Sequence, residues 1–342
     1  MKFLGSLFTL AVLGISTVFC APTPDINQYD DTFHYWISDT NKKATIMGIN
    51  NKVAKTATVK PYIIVEGERY YVYQIGAAAF TNSNLETLII NDKDAYANDQ
   101  FVESINISHN ALRGATKLKN IELNTDKVTA DLYAFDGVST NINFSGKGVP
   151  SLVNDYAKKL LESWGIDTGV DYTNASDTDV MKALHKLARA VKTNFGVNDK
   201  IAYPSNVAVV LALKTGSTNG IARAYRILAR NMGFQYNDVH VGGDNGYYSW
   251  NYVYINKGNG KKWYNLDIIN TSISSRYTSS IFKTNTQQKN VIENKYGGNT
   301  SYANPDNWVI YINEYNYPGE NSYTISENFT NWLIRNRQGV RA

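Results

Sequence analysis

The chain of 342 residues holds one cysteine, Cys20. That near-absence excludes a disulfide framework, a thiolate zinc cluster and, beyond residue 20, any thiol nucleophile. Histidine is scarce too. The four present are His34, His109, His185 and His240, and their spacing from carboxylates forms no metal-ligand pattern, so neither a metal nor a cofactor is expected. Charge is modest at 19% of residues, with a formal net charge of +4. Lys and Arg never run beyond two in succession. Nucleic acid is therefore not an expected partner, and neither is a polybasic membrane contact. After residue 20 no apolar run approaches the ~20 residues that a spanning helix needs, so stable membrane insertion is not expected either.

What is present begins with an export signal. Lys2 supplies a short positive region, Phe3 to Phe19 form an apolar stretch broken only by Gly, Ser and Thr, and Val18 and Cys20 occupy the −3 and −1 positions before Ala21. Residues 1–20 read as a signal peptide, which places the mature protein outside the cell or at its surface and leaves it cysteine-free. Six N-x-S/T sequons, at Asn106, Asn143, Asn174, Asn270, Asn299 and Asn328, fit passage through a eukaryotic secretory pathway. In a chain this rich in Asn, Ser and Thr, several arise by chance. The 25 tyrosines match codon bias in an AT-rich genome.

The length suffices for two domains, and the patterning divides near residue 147. In the first part, Ile75-Gly76, Ala79-Phe80, Leu85, Leu88 and Ile90 form a unit. Ile105, Ala111-Leu112, Leu118, Ile121 and Leu123 repeat its spacing, and Ala134-Phe135, Ile142 and Phe144 give a shorter third copy. Leu118 lies thirty-three residues after Leu85, and Ala134 twenty-three after Ala111. Each small-large pair precedes an L-x-x-I strand by one short turn, so pairs stack on pairs and strands on strands. The pattern resembles BspA-type leucine-rich repeats over Lys43 to Lys147, with a strand-rich cap before them. An ordinary meander of short strands is the alternative.

The composition changes at SGKGVP, residues 145–150. Helical stripes follow at Leu152, Tyr156, Leu160 and Leu161, then at Val180, Leu184, Leu187 and Val191, capped at Asp177 or Thr178. A buried helix is expected over Val207 to Leu213. Beyond Gly233 the period falls to two, and Tyr247 to Ile255, Lys262 to Ile268 and Trp308 to Tyr315 read as strands of an antiparallel sheet.

Between these lie GSTNGIARAYRILARNMGF from Gly216, YYSWNYVYIN from Tyr247 and KKWYNLD ending at Asp267. This layout resembles the transglutaminase-like family, whose core reads G-x-C-x-G-x-A at a helix start, H-x-W-N on a strand and W-Y-x-x-D on the next. The resemblance implies a papain-like α+β domain. On that pattern Thr218 stands at the nucleophile, Tyr248 at the general base and Asp267 at the third triad position, which alone matches. Trp250, Asn251 and Trp263 match as scaffold. The fold class expected is thus α+β, with a short leucine-rich-repeat β-solenoid over 21–147 and a papain-like, transglutaminase-like domain over 148–342.

Chemistry by the family's route is not expected. A threonine hydroxyl needs a base, and a tyrosine with a pKa near ~10 is a proton donor at neutral pH. Gly216-Ser-Thr-Asn-Gly220 also fits a nucleophile elbow, but the one histidine downstream, His240, follows Thr218 by only twenty-two residues. A phosphate loop would need Lys after Gly220. Surface or packing roles are expected for all four histidines. The small Gly216 and Gly220 suit a helix start packed under a sheet, with Ala222, Ala224, Leu228 and Ala229 buried. Tyr248 and Asp267 are expected to hydrogen bond. Tyr248, Trp250, Tyr252 and Tyr254 alternate along one strand face. Core packing is one reading. The other makes Tyr248, Trp250 and Tyr252 a stacking platform. The function expected is non-catalytic binding or adhesion to an extracellular or cell-wall protein or polysaccharide. The alternatives are an extracellular transglutaminase- or peptidase-like enzyme using Thr218, and a purely structural wall component.

Overall fold

The computed structural model describes residues 26–50, 54–92, 103–235, 237–244, 248–257, 260–298, 301–311, 326–329 and 331–332. The expected signal peptide, Tyr247 and residues 312–315 lie outside them. The architecture is mixed α+β, with five α-helices and several sheets among the described residues.

Eleven strands fill the first half: β1 (Ile26–Tyr29), β2 (Phe33–Ser38), β3 (Lys43–Ile49), β4 (Thr56–Val59), β5 (Tyr62–Val65), β6 (Glu68–Ile75), β7 (Thr87–Ile90), β8 (Ile105–Ile107), β9 (Asn120–Leu123), β10 (Val128–Ala130) and β11 (Asn143–Ser145). They form two ladders. One runs β1-β2-β3-β6-β8-β10, with β5 added to β6, and it is parallel from β3 onward. The other, β4-β7-β9-β11, is parallel throughout. The spacing read from sequence reappears as pairing: Thr87 opposite Asn120 and Asn120 opposite Asn143. Each repeat supplies a strand to both ladders, where sequence periodicity had exposed mainly the second.

The space between the ladders is filled by residues that carried the repeat, joined by Ile107 and Ala130. Ile75, Ile107 and Ala130 face in from one ladder, and Leu88, Ile121 and Phe144 from the other, with Phe80, Leu112 and Phe135 between; all are buried. The connecting turns stack as well. Ala78, Asn110 and Tyr133 share a left-handed φ of 59°, 57° and 65°. Ala78 N–H donates to Asn110 O at 3.1 Å, and Asn110 N–H to Tyr133 O at 3.2 Å. Those bonds hold a conformation that non-glycine residues adopt at a cost.

The second half opens with helices α1 (Val149–Ser163), α2 (Asp177–Asn194), α3 (Val207–Leu213) and α4 (Thr218–Met232), with the two-residue strands β12 (Gly196–Val197) and β13 (Thr215–Gly216) between them. The sequence stripes are their buried faces. The α2 cap is Ser176, one residue before the expected position, its side chain accepting from Asp179 N. Strands β14 (Val239–Gly243), β15 (Ser249–Lys257), β16 (Gly260–Leu266), β17 (Phe282–Lys283), β18 (Val309–Tyr311) and β19 (Ser326–Asn328) then make one antiparallel sheet, ordered β17-β16-β15-β14-β18-β19. Helix α5 (Asn285–Tyr296) was not expected from sequence. Only Gln288 and Ile292 of it are buried, too few to show an amphipathic period.

The core does not break at 147/148. One cluster of buried hydrophobic residues runs from Phe33 to Phe282. Helix α1 sets Tyr156 edge-on against Phe135 at 5.6 Å, and Asn206 at the start of α3 donates to Asn143 Oδ1 at 3.2 Å. These contacts cover the last pair of stacked strands, whose apolar end would otherwise face water.

Truncating the stack centre tests this packing: Leu112→Ala is expected to lower unfolding free energy by about 2–5 kcal/mol, read from urea midpoints at unchanged m.

Candidate functional site

The site grows from the start of α4. Ser217 caps the helix, accepting from Gly220 N at 3.1 Å, and its own N–H donates to Pro204 O at 2.8 Å. The two glycines permit that approach. A Cβ on Gly220 would stand 2.1 Å from Pro204 O, and one on Gly216 2.5 Å from Val210 Cγ2. Thr218 therefore begins the helix directly beneath the edge of β15, and its Oγ1 accepts from Ser249 N at 3.1 Å. The contact to this hydroxyl is a main-chain donor. A donor cannot remove a proton.

Tyr248 precedes β15. Its N–H donates to Asp244 Oδ1 at 3.0 Å, and its hydroxyl donates to Asp267 Oδ1, the bond expected from sequence. Asp267 follows β16 and is wholly buried. It also accepts from Asn270 N at 2.9 Å, Asn270 Nδ2 at 3.3 Å and Gln288 Nε2 at 3.1 Å. Burial raises the Tyr248 hydroxyl far above the usual tyrosine range, and the Asp267 charge adds to the shift. Tyr248 is thus a fixed donor. Lys295 of α5 lies over its ring, Nζ 3.9 Å from the centroid. Burial lowers the Lys295 ammonium, opposed by Asp267, Asp244 and Asp199. Gln288 and Lys295 carried no signal in the sequence, since each sits in a polar stretch without a period, and Asn270 stood out there only as a sequon.

Trp250 ties β15 to β16 within the sheet, and Asn251 ties β15 to α4. Trp250 Nε1 donates to Asn265 Oδ1 at 2.8 Å, and Asn251 Nδ2 to Ala222 O on α4 at 2.8 Å. The open platform is a correction. Tyr248, Trp250 and Tyr252 are only 1%, 1% and 0% exposed. A second aromatic layer covers them: Trp308 lies edge-on to Trp250 at 5.0 Å, and Phe329 stacks on Tyr252 at 3.7 Å. Period-two alternation shows which side chains share a face, but not what lies on that face.

The histidines lie elsewhere. His34 stacks on Tyr29, His109 is exposed and meets Leu132 O at 3.0 Å, and His185 is buried on α2 with its ring edge-on to Tyr277. His240 on β14 is buried against Trp263 and Trp332. Burial, and then the Arg226 charge, lower its pKa to about 3. Among the described residues no group of three or more His, Cys, Asp or Glu could hold a metal ion, and no helix is long and apolar enough to cross a membrane.

No family model matches this chain, and no curated protein does. Among solved structures, a leucine rich cell surface protein from Faecalibacterium prausnitzii A2-165 is similar to it at 18% identity with a TM-score of 0.24. The match covers 36% of this chain and 34% of that one, a likeness too slight to carry an argument.

Two outcomes are expected. Tyr248→Phe removes one donor from Asp267 and leaves three, so chemical denaturation should show a loss of about 1–3 kcal/mol. His240 stays neutral in the folded protein down to about pH 3, whereas an unfolded histidine protonates near ~6.5. Between those values the unfolded chain binds more protons, so stability falls as pH drops from ~6.5, by up to about 1.4 kcal/mol per unit. Urea midpoints between pH 6.5 and 5 should show a flatter slope in His240→Gln.

Proposed function

We propose that the chain is a secreted or cell-surface protein that binds or adheres without catalysis. In this reading a leucine-rich-repeat solenoid over 21–147 precedes a transglutaminase-like domain over 148–342 whose chemistry has been lost. The parallel runs β6-β8-β10, stepped by 32 and 23 residues, and β7-β9-β11, stepped by 33 and 23, support the first part. The helix start at Thr218, packed on the strands that carry Tyr248 and Asp267, supports the second. The observation that carries the function is the pairing of the triad positions. Tyr248 is locked as a donor to Asp267, and Thr218 accepts from a main-chain amide, so neither position holds a general base. With the aromatic row packed away, contact with an extracellular or cell-wall partner falls to the outer surface of the stacked strands.

The enzyme reading remains distinct in its consequences. Amine incorporation into a glutamine substrate and peptide hydrolysis should both be at background in the wild type and equally so in Thr218→Ala. Activity present in wild type and absent in Thr218→Ala contradicts the proposal. Retention of the protein on intact cells or extracellular matrix should be unaffected by Thr218→Ala.

A further inference from the structure

We propose that the outer face of the β2-β3-β6-β8-β10 sheet carries a binding groove for a neutral oligosaccharide, with Trp36 as its stacking surface and Gln74 and Asp131 as polar contacts. The proposal rests on the binding reading above and gives it a site and a ligand class.

The groove follows from register. Trp36 pairs with Thr45, Thr45 with Gln74, Gln74 with Asn106 and Asn106 with Thr129. Residues opposite one another in neighbouring strands project from the same face. An indole and four polar side chains therefore form one line across the sheet, on the side away from the buried Tyr35, Ile37, Ile75 and Ile107. Near the ends of these strands lies a groove of about 510 Å³, within the size range of small-ligand sites. Trp36, Gln74, Ser108, His109 and Asp131 line it, and Met47 stands at its edge 42% exposed. Gly76 keeps it open, since a Cβ there would stand 3.3 Å from both Thr45 Cγ2 and Met47 Sδ.

Two features point to a ligand. Thr45 Oγ1 and Ser108 Oγ are shielded from solvent and have no hydrogen-bond partner among the described residues, and both residues line the groove. Buried hydroxyls in native proteins are nearly always satisfied, by protein, water or ligand. The carboxylate beside them is held in place, its Oδ1 3.8 Å from Lys159 Nζ. Asp131 Oδ2 accepts from Asn106 Nδ2 at 3.1 Å and from His109 N at 3.3 Å, while Thr129 Oγ1 donates to Asn106 Oδ1 at 3.1 Å.

The mixture selects the ligand class. A sugar ring has an apolar C–H face that lies on an indole, and hydroxyls that pair with an amide, a carboxylate and other hydroxyls. A purely apolar ligand would leave the Thr45 and Ser108 hydroxyls unpaired. An anionic one would meet Asp131 in a groove whose lining holds no Lys or Arg, and Lys159 beside it is already paired with Asp131 and Asp155.

The test uses the full chain, secreted from a host that leaves the Asn106 sequon unmodified. It is titrated with neutral tetra- to hexasaccharides of β-1,3-glucan, β-1,4-glucan, chitin and α-mannan, read by calorimetry and tryptophan fluorescence. Binding of at least one series is expected. Affinity should fall about tenfold or more in Trp36→Ala and about threefold or more in Gln74→Ala, and recover in Trp36→Phe. Lys182→Ala, at an exposed position of α2, should bind as wild type. Thermal unfolding checks each fold, and Gln74→Ala carries the test should Trp36→Ala not fold. Affinity unchanged in Gln74→Ala and in a folded Trp36→Ala overturns the groove. So does silence with every saccharide while the protein still adheres to cells or matrix, and in that case the binding reading stands. Failure to adhere at all removes both.

Discussion

Burying the Asp267 carboxylate is the constraint around which the second half of the molecule is arranged. An ionised group wholly out of water is tolerated only when donors surround it. They come from three directions: the Tyr248 hydroxyl at the head of β15, Asn270 just past β16, and Gln288 from α5. Strand, loop and helix are thus tied at one point. In the non-catalytic reading proposed above, the same tie silences the site. A histidine beside a carboxylate is steadied as a base that can take a proton and return it, whereas a buried tyrosine there has already given its only hydrogen bond and keeps its proton.

The first half is governed by a different economy. Strands of three or four residues are too short to stand alone, and they persist here because each repeat lays one strand on its neighbour in each of the two ladders. The residues facing in are consumed by that stacking, which frees those facing out. The row from Trp36 to Thr129 lies on that outer face, where the proposed saccharide would meet it. Helices α1 and α3 close the end of the stack, so the two halves share buried surface although their patterning changes abruptly near residue 147.

Much of this was legible in the residues. The repeat spacing fixed which residues pair across β7, β9 and β11, because period and stacking are the same fact. The helix stripes named the buried faces of α1 to α4, and the close approach of Gly216 and Gly220 could be expected from their lack of side chains. The Tyr248–Asp267 bond followed from a resemblance of layout. Three things were not legible. Helix α5 is held by one buried amide and one isoleucine, which leave no period. The cover over Trp250 and Tyr252 comes from Trp308 and Phe329, more than fifty residues away in sequence, and strand alternation says nothing of such a layer. The Trp36 row joins five strands, and no local window contains it.

In the proposed reading Tyr248 denies residue 218 a base, and a thiol placed there reports on that directly. The pH dependence of alkylation should be measured for Thr218→Cys and for Thr218→Cys combined with Tyr248→His. The single variant is expected to titrate as an ordinary thiol, near ~8.5 or above, and the added histidine to move the profile down and raise the rate at neutral pH. A single variant that already reacts at neutral pH as fast as the double would show that some other group serves as the base, and would contradict the account.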